Sequence, residues 1–299
     1  MKITATISAL IAGFLLVLSS LTMASDYSNA TFLDKSARFH PVISQLGMVV
    51  SQEAMASQVG ADILEAGGNA IDAAVATGFA LAVTLPRAGN LGGGGFMLVY
   101  LAEENKTIAI DYREMAPMAA KRDMFLDQQG NVDNEKARFS AQSSGVPGTV
   151  AGLVHALEKY GSMSLKEVLK PAIKLASQGF QVNYDLSDSL RLASKRLHKH
   201  PASKKYFYKP QGGYYLPSDL LIQSDLGSTL KRIAEQGDSG FYKGQTAKLI
   251  VQQMQRSGGL ITLDDLANYQ VVERQPVCGS YKQHSLCAMP PPSSGGIHL

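Results

Sequence analysis

Apolar positions recur at helical spacing through most of the chain, and the most informative stretch lies between Gly47 and Arg113. Residues 47–50 are apolar and β-rich, which predicts a short strand over about 47–52. From Glu53 onward Met55, Val59 and Ile63 mark one face of a helix. Gly67-Gly68-Asn69 should stop it, because these residues tolerate the left-handed conformation of a C-cap. Ile71, Val75, Phe79 and Val83 then continue at helical spacing with alanines filling the gaps. A helix apolar on nearly all sides is predicted to be buried. After Pro86 a run of glycines, Gly89 and Gly92 to Gly95, leads into the continuous apolar segment 96–101. That segment is short, so the expectation is a strand over 95–101 covered on both faces. Residues 106–113 alternate after a turn at 102–105. Ile108, Ile110 and Tyr112 point one way; Ala109, Asp111 and Arg113 point the other.

The remainder reads mainly as helix. Residues 115–133 are expected to be loop and short helix, with a turn at 127–131. A break at 145–149 should start a helix running through Tyr160. Ser164 with Glu167 forms a capping box for the next helix, which Pro171 should kink or divide. Amphipathic helices are predicted over 223–235 and 246–256, ended by glycines near Gly237 and Gly258, and Thr262 with Asp265 caps a short one through Tyr269. Residues 271–289 read as paired strands turning at Lys282-Gln283.

Composition adds bounds. With 299 residues, 45% hydrophobic and 18% charged, the chain can bury a sizeable core, and a net charge of +3 is too small to argue for nucleic acid or a membrane surface as partner. The densest basic stretch, 185–209, includes Arg191, Lys195, Arg196, Lys199, Lys204 and Lys205; a solvated helix face uses such residues more often than a nucleic-acid site does. His198 and His200 stand two apart on a predicted helix and do not share a face, which argues against a metal site. Residues 1–24 have the form of a secretory signal peptide, with Lys2, the apolar stretch 7–18 and small residues to Ala24. Residues 25–46 form an arm, and 47–299 the main domain. The expected location is exported, periplasmic in a Gram-negative cell and otherwise secreted, with no stable membrane anchor. An oxidising compartment would permit a bridge between the only cysteines, Cys278 and Cys287, which a hairpin symmetric about 282–283 places opposite each other. A bridge suits that position only in a non-hydrogen-bonded pair. No C-x-x-C and no clustered histidine favour zinc, and no cofactor is implied.

Several chemistries fail on context. The glycine run lacks the Gly-Lys-Ser/Thr of a phosphate loop, has Met97 where a dinucleotide fingerprint needs a glycine, and precedes a strand rather than a helix. No G-x-S-x-G elbow is present. What four glycines permit is close approach of another backbone or a ligand. Arg113, at the mouth of the sheet beside that run, could hold a carboxylate through two parallel hydrogen bonds, or could pair with Asp111 or Glu114 and carry structure alone.

The segments GGNAIDAAVA, AGNLGGGGFM and DYREMAP, followed in order by SGVPGTVAGL, KYGSMSLKEVLKPAIKLASQGF, GGLITLDDLANY and MPPPSSGGIHL, resemble the large-subunit region of gamma-glutamyltransferases, or glutathione hydrolases. The resemblance covers about 47–299. It implies an α+β fold, the αββα sandwich of N-terminal-nucleophile hydrolases, incomplete here because the small-subunit strands are absent. It also implies a precursor that cuts itself, a nucleophilic threonine beyond Leu299, and transfer of the gamma-glutamyl group of glutathione to water, amino acids or peptides. Arg113, in DYREMAP, matches the arginine that grips the glutamate α-carboxylate. On this reading the 299 residues are the leader plus a truncated large subunit, inactive without the small subunit. The competing classes are an acylase on the same scaffold and an exported binding protein without activity.

Overall fold

Two helices, each capped at its start by side chains, form the centre of the fold. The structure is a computed structural model and describes residues 42–299; the expected signal peptide and residues 25–41 of the arm lie outside the described residues. Residues 46–299 form one unit. Helix α1 (Ala54–Glu65) begins at Glu53, whose carboxylate accepts from the backbone N–H of Met55 and Ala56 at 3.1 and 2.9 Å. Gly67, at φ +92°, ends it. Helix α2 (Ala70–Thr84) follows a capping box of Asn69 and Asp72, and its Val75, Phe79 and Val83 are wholly buried.

The strands β1 (Phe96–Leu101) and β2 (Lys106–Asp111) pair antiparallel, with Leu98 opposite Ala109. After α3 (Asn134–Phe139) come α4 (Thr149–Tyr160), α5 (Leu165–Gln178), β3 (Phe180–Gln181), α6 (Tyr184–Leu197), α7 (Pro201–Phe207) and β4 (Leu220–Leu221). The chain continues through α8 (Ser224–Gln236), α9 (Ser239–Tyr242), α10 (Gly244–Ser257), α11 (Leu263–Ala267), β5 (Val272–Arg274), β6 (Val277–Tyr281) and β7 (His284–Ala288). β5 adds to the free side of β2, giving a three-stranded antiparallel sheet in the order β1-β2-β5; β3–β4 and β6–β7 are separate pairs. Helix α2 packs against α1, α4 and α5, and α5 against α8. Val99, Ile108 and Ile110 turn one face of the sheet into this helical core.

Five expectations meet a different or narrower outcome. Residues 47–52 form no strand: Val49 packs on the core while Met48 and Val50 stay exposed, and no neighbouring strand among the described residues completes their ladder. β1 is covered on one face only, because helices lie against Val99 whereas Leu98 and Tyr100 are 42% and 62% exposed. Of the two outcomes expected at Pro171, division does not occur: helix α5 continues through it, with Val168, Leu169, Ala172 and Ala176 buried on both sides. Residues 115–133 contain turns but no helix, and His198 and His200 flank the break between α6 and α7 rather than sharing a helix.

β5 is fastened to α4 by a single carboxylate. Glu273 accepts from Lys159 Nζ at 2.7 and 2.8 Å and from Tyr160 Oη at 2.9 Å, and sits 2.8 Å from His155 Nε2. Burial alone would raise its pKa, but the hydrogen bonds from Lys159, His155 and Tyr160 outweigh burial and bring it down to about 2 from the ordinary 4.5. A folded-state value below the unfolded one means stability that is present above pH 4.5 and lost as the pH falls from 4.5 toward 2. Solvent at this part-exposed site should limit the loss to about 1 kcal/mol. Urea titrations at pH 7 and pH 3 should show that loss in the parent and a smaller one in Glu273→Gln.

Candidate functional site

The backbone around Arg113 is pinned on every side. The Arg113 N–H donates to Asp111 Oδ1 at 3.0 Å, and its carbonyl accepts from the Tyr269 hydroxyl at 2.9 Å. One residue earlier, Tyr112 and Gly95 exchange backbone hydrogen bonds of 3.0 and 3.2 Å; two residues later, Met115 and Val146 exchange bonds of 3.2 and 2.7 Å. The glycine run makes this possible. A Cβ on Gly94 would strike the backbone of 112–114, and one on Gly152 would strike the Tyr112 ring. Gly93 closes the arrangement by accepting from the N–H groups of Gly148 and Thr149 at 2.7 and 2.9 Å, which ties the loop to the start of α4.

Tyr269 is itself supported. Its ring stacks on Tyr242 with centroids 5.7 Å apart, and the Tyr242 hydroxyl donates to Pro147 O at 2.8 Å while accepting from the Ala151 N–H at 3.3 Å. Burial pushes both phenol pKa values far up, and Asp111 and Glu114 add to the shift at Tyr269. Both hydroxyls therefore stay protonated and able to donate at neutral pH.

The Arg113 side chain contrasts with its fixed backbone, being 56% exposed. Its Nε donates to Glu114 Oε2 at 3.1 Å, its guanidinium lies 5.8 Å from the Phe96 ring centroid, and its terminal nitrogens make no hydrogen bond to described residues. Asp111 is taken elsewhere: its Oδ2 accepts from Arg274 Nε at 2.8 Å. Of the two structural partners weighed from the sequence, Glu114 therefore pairs with the Arg113 side chain, whereas Asp111 holds only its backbone. The Arg113–Glu114 pair stands between two open clefts. One, of about 420 Å³, is also lined by Tyr269, Arg274 and Pro292; the other, of about 400 Å³, by Phe125 and Ser144.

Two guanidinium groups thus face one cleft, on a strand end that cannot move far. That arrangement suits a small anion, above all a carboxylate that accepts two parallel hydrogen bonds. Arg274 was not visible as a candidate in the sequence, because only the β2–β5 register brings it beside Asp111. Tyr269 was read merely as a helix end. Among the described residues no group of three or more histidine, cysteine or acidic side chains could hold a metal.

Cys278 and Cys287 lie opposite each other in the β6–β7 pair, Cα atoms 4.1 Å apart, with their sulfurs joined. Counting outward from Tyr281 and His284, which close the two-residue turn, places them in a non-hydrogen-bonded pair, the narrow kind. No helix among the described residues is long and apolar enough to cross a membrane.

Residues 56–299 match the gamma-glutamyltranspeptidase family. The chain is 55% identical over 262 residues to a glutathione hydrolase proenzyme of Escherichia coli K12, covering 87% of this chain and 45% of the relative. It is 43% identical over 279 residues to a glutathione hydrolase proenzyme of Pseudomonas sp. A14, covering 93% and 48%. The chain therefore spans about half the length of these relatives. The crystal structure of Helicobacter pylori gamma-glutamyltranspeptidase superposes with a TM-score of 0.84 at 47% identity, over 86% of this chain and 74% of that one.

Proposed function

The chain belongs to the gamma-glutamyltranspeptidase family, and from that premise we propose that it is part of an exported enzyme that cleaves the gamma-glutamyl bond of glutathione and passes the gamma-glutamyl group to water, amino acids or peptides. The observation that carries this reading is the exposed Arg113 guanidinium on an immobilised backbone, with Arg274 at the same cleft. The substrate's α-carboxylate would displace Glu114 from Arg113 and gain a fork of two charge-assisted hydrogen bonds. Holding that end fixes where the γ-carbonyl lies, so the attacking hydroxyl meets it in a restricted geometry.

The nucleophile is supplied by a segment beyond Leu299, a threonine freed as the first residue of a small subunit, whose own amine takes the hydroxyl proton. The acyl-enzyme formed on that oxygen is then resolved by water or by an acceptor amine. The 299 residues alone are inactive on this account. The exposed face of β1, with Leu98 and Tyr100, gives that second segment an apolar sheet surface to cover.

The test is the complete gene product assayed for release of p-nitroaniline from gamma-glutamyl-p-nitroanilide, with subunit cleavage followed on a gel. Cleavage and turnover together are expected, and no turnover from residues 1–299 expressed alone. A product that cleaves yet ignores gamma-glutamyl donors while opening another amide would assign the acylase function instead.

A further inference from the structure

The β6–β7 hairpin is a two-stranded pair separate from the main sheet, with Cys278 exposed and Cys287 half-buried. A pair of that kind has little stability of its own, so the cross-strand bridge, spanning a separation of 9 residues, matters to it. The chain on either side of the hairpin leads to the Arg113 cleft. Arg274 lies four residues before Cys278 and Pro292 five residues after Cys287, and both line that cleft. The returning chain also packs on β6: Gly296 donates its N–H to Met289 O at 3.2 Å, and a Cβ there would stand 3.1 Å from Val277. Between Pro276 and Met289 the hairpin carries Lys282 and His284 and no Asp or Glu, so its local field favours an approaching anion.

We infer that the Cys278–Cys287 bridge is a thiol-exchange site that takes glutathione as a mixed disulfide, and that opening it loosens the Arg274 and Pro292 side of the Arg113 cleft. The glutathione thiolate attacks Sγ of Cys278, the more exposed residue of the two. The bond to Cys287 breaks, and its electron pair leaves on Cys287 Sγ as a thiolate that takes a proton from solvent. A second glutathione thiolate, attacking the glutathione sulfur of the mixed disulfide, releases oxidised glutathione and leaves both cysteines reduced. The choice of glutathione as the thiol rests on the proposed function; the exchange itself and its effect on the cleft do not require turnover.

The complete gene product is therefore incubated with reduced and oxidised glutathione at graded ratios, quenched in acid, alkylated and mapped by mass spectrometry. Amide exchange is followed in parallel at 272–274 and at 293–297, the amides that follow Pro292. The expected result is a species with one glutathione on Cys278 and one alkyl group on Cys287, and amide exchange at both segments about tenfold faster than in the bridged form. S-methylglutathione, which has no free thiol, should produce neither change, and the double variant Cys278→Ser, Cys287→Ser should show the faster exchange without any thiol. A bridge that survives every ratio while dithiothreitol opens it overturns the inference. So does an adduct that leaves amide exchange at 272–274 and 293–297 unchanged. Failure of gamma-glutamyl turnover would count against the proposed function alone, since neither readout depends on it.

Discussion

Arg113→Ala should lower kcat/KM for gamma-glutamyl-p-nitroanilide about a hundredfold in the complete gene product, with most of the loss in KM. The reason is the split between backbone and side chain at this residue. Asp111 and Tyr269 fix its N–H and carbonyl, so removing the side chain leaves the strand end in place and subtracts mainly the guanidinium. A substrate carboxylate that loses a charge-assisted fork forfeits about 2–3 kcal/mol, which is the hundredfold change. Arg113→Lys keeps the charge but presents it as a single point, so about a tenfold loss should remain. Steady-state kinetics of parent and variants, with subunit cleavage checked on a gel, give the measurement. A loss below threefold for Arg113→Ala would mean that its bond to Glu114 is its main role.

Asp72→Ala should destabilise the fold by about 3 kcal/mol, a loss as large as that of a buried apolar side chain. Asp72 is wholly buried, and its carboxylate accepts from the N–H groups of Asn69, Ser162 and Met163 at 2.7, 2.9 and 3.1 Å and from Ser162 Oγ at 2.6 Å. Burial would raise its pKa, yet these donors together hold it below the ordinary carboxylate value. One group thus caps α2 and secures the loop joining α4 to α5. Alanine would leave three backbone donors without their acceptor, and the cost of such orphaned groups exceeds the worth of the bonds themselves. Asp72→Asn should cost less, since its carbonyl oxygen still accepts. Urea unfolding at pH 7 resolves the two, and a loss under 1 kcal/mol for Asp72→Ala would show that the loop finds other acceptors.

What could be read from the chain alone was what a few neighbouring residues decide. The capping boxes Ser164–Glu167 and Thr262–Asp265 depend on a spacing of three, and the facing positions of 278 and 287 depend on a two-residue turn. The burial of α2 followed from its apolar surface. Features that depend on distant partners were illegible. Residues 47–52 have strand character but no partner strand among the described residues, and the apolar run of β1 does not reveal that helices cover only one of its faces. Arg274 joins the site only because β5 pairs with β2, and Tyr269 reaches the Arg113 carbonyl across 156 positions. Helix α5 is not divided at Pro171, because tertiary burial around it outweighs the hydrogen bond that proline removes. Arg113 itself was legible as a candidate from local alternation and from family resemblance, and Glu114 as one of two possible partners for it, while the choice of Glu114 over Asp111 and the second arginine were not.

The central claim is that Arg113 binds the α-carboxylate of a gamma-glutamyl donor. The most direct measurement is a cycle in the complete gene product that pairs parent and Arg113→Ala with two donors, gamma-glutamyl-p-nitroanilide and the same compound with its α-carboxylate replaced by a neutral amide. If the claim holds, the parent prefers the carboxylate donor by about a hundredfold in kcat/KM, and Arg113→Ala treats the two nearly alike, because each change removes the same interaction. If the variant keeps the parent's full preference, the carboxylate is held by other residues and the claim is wrong.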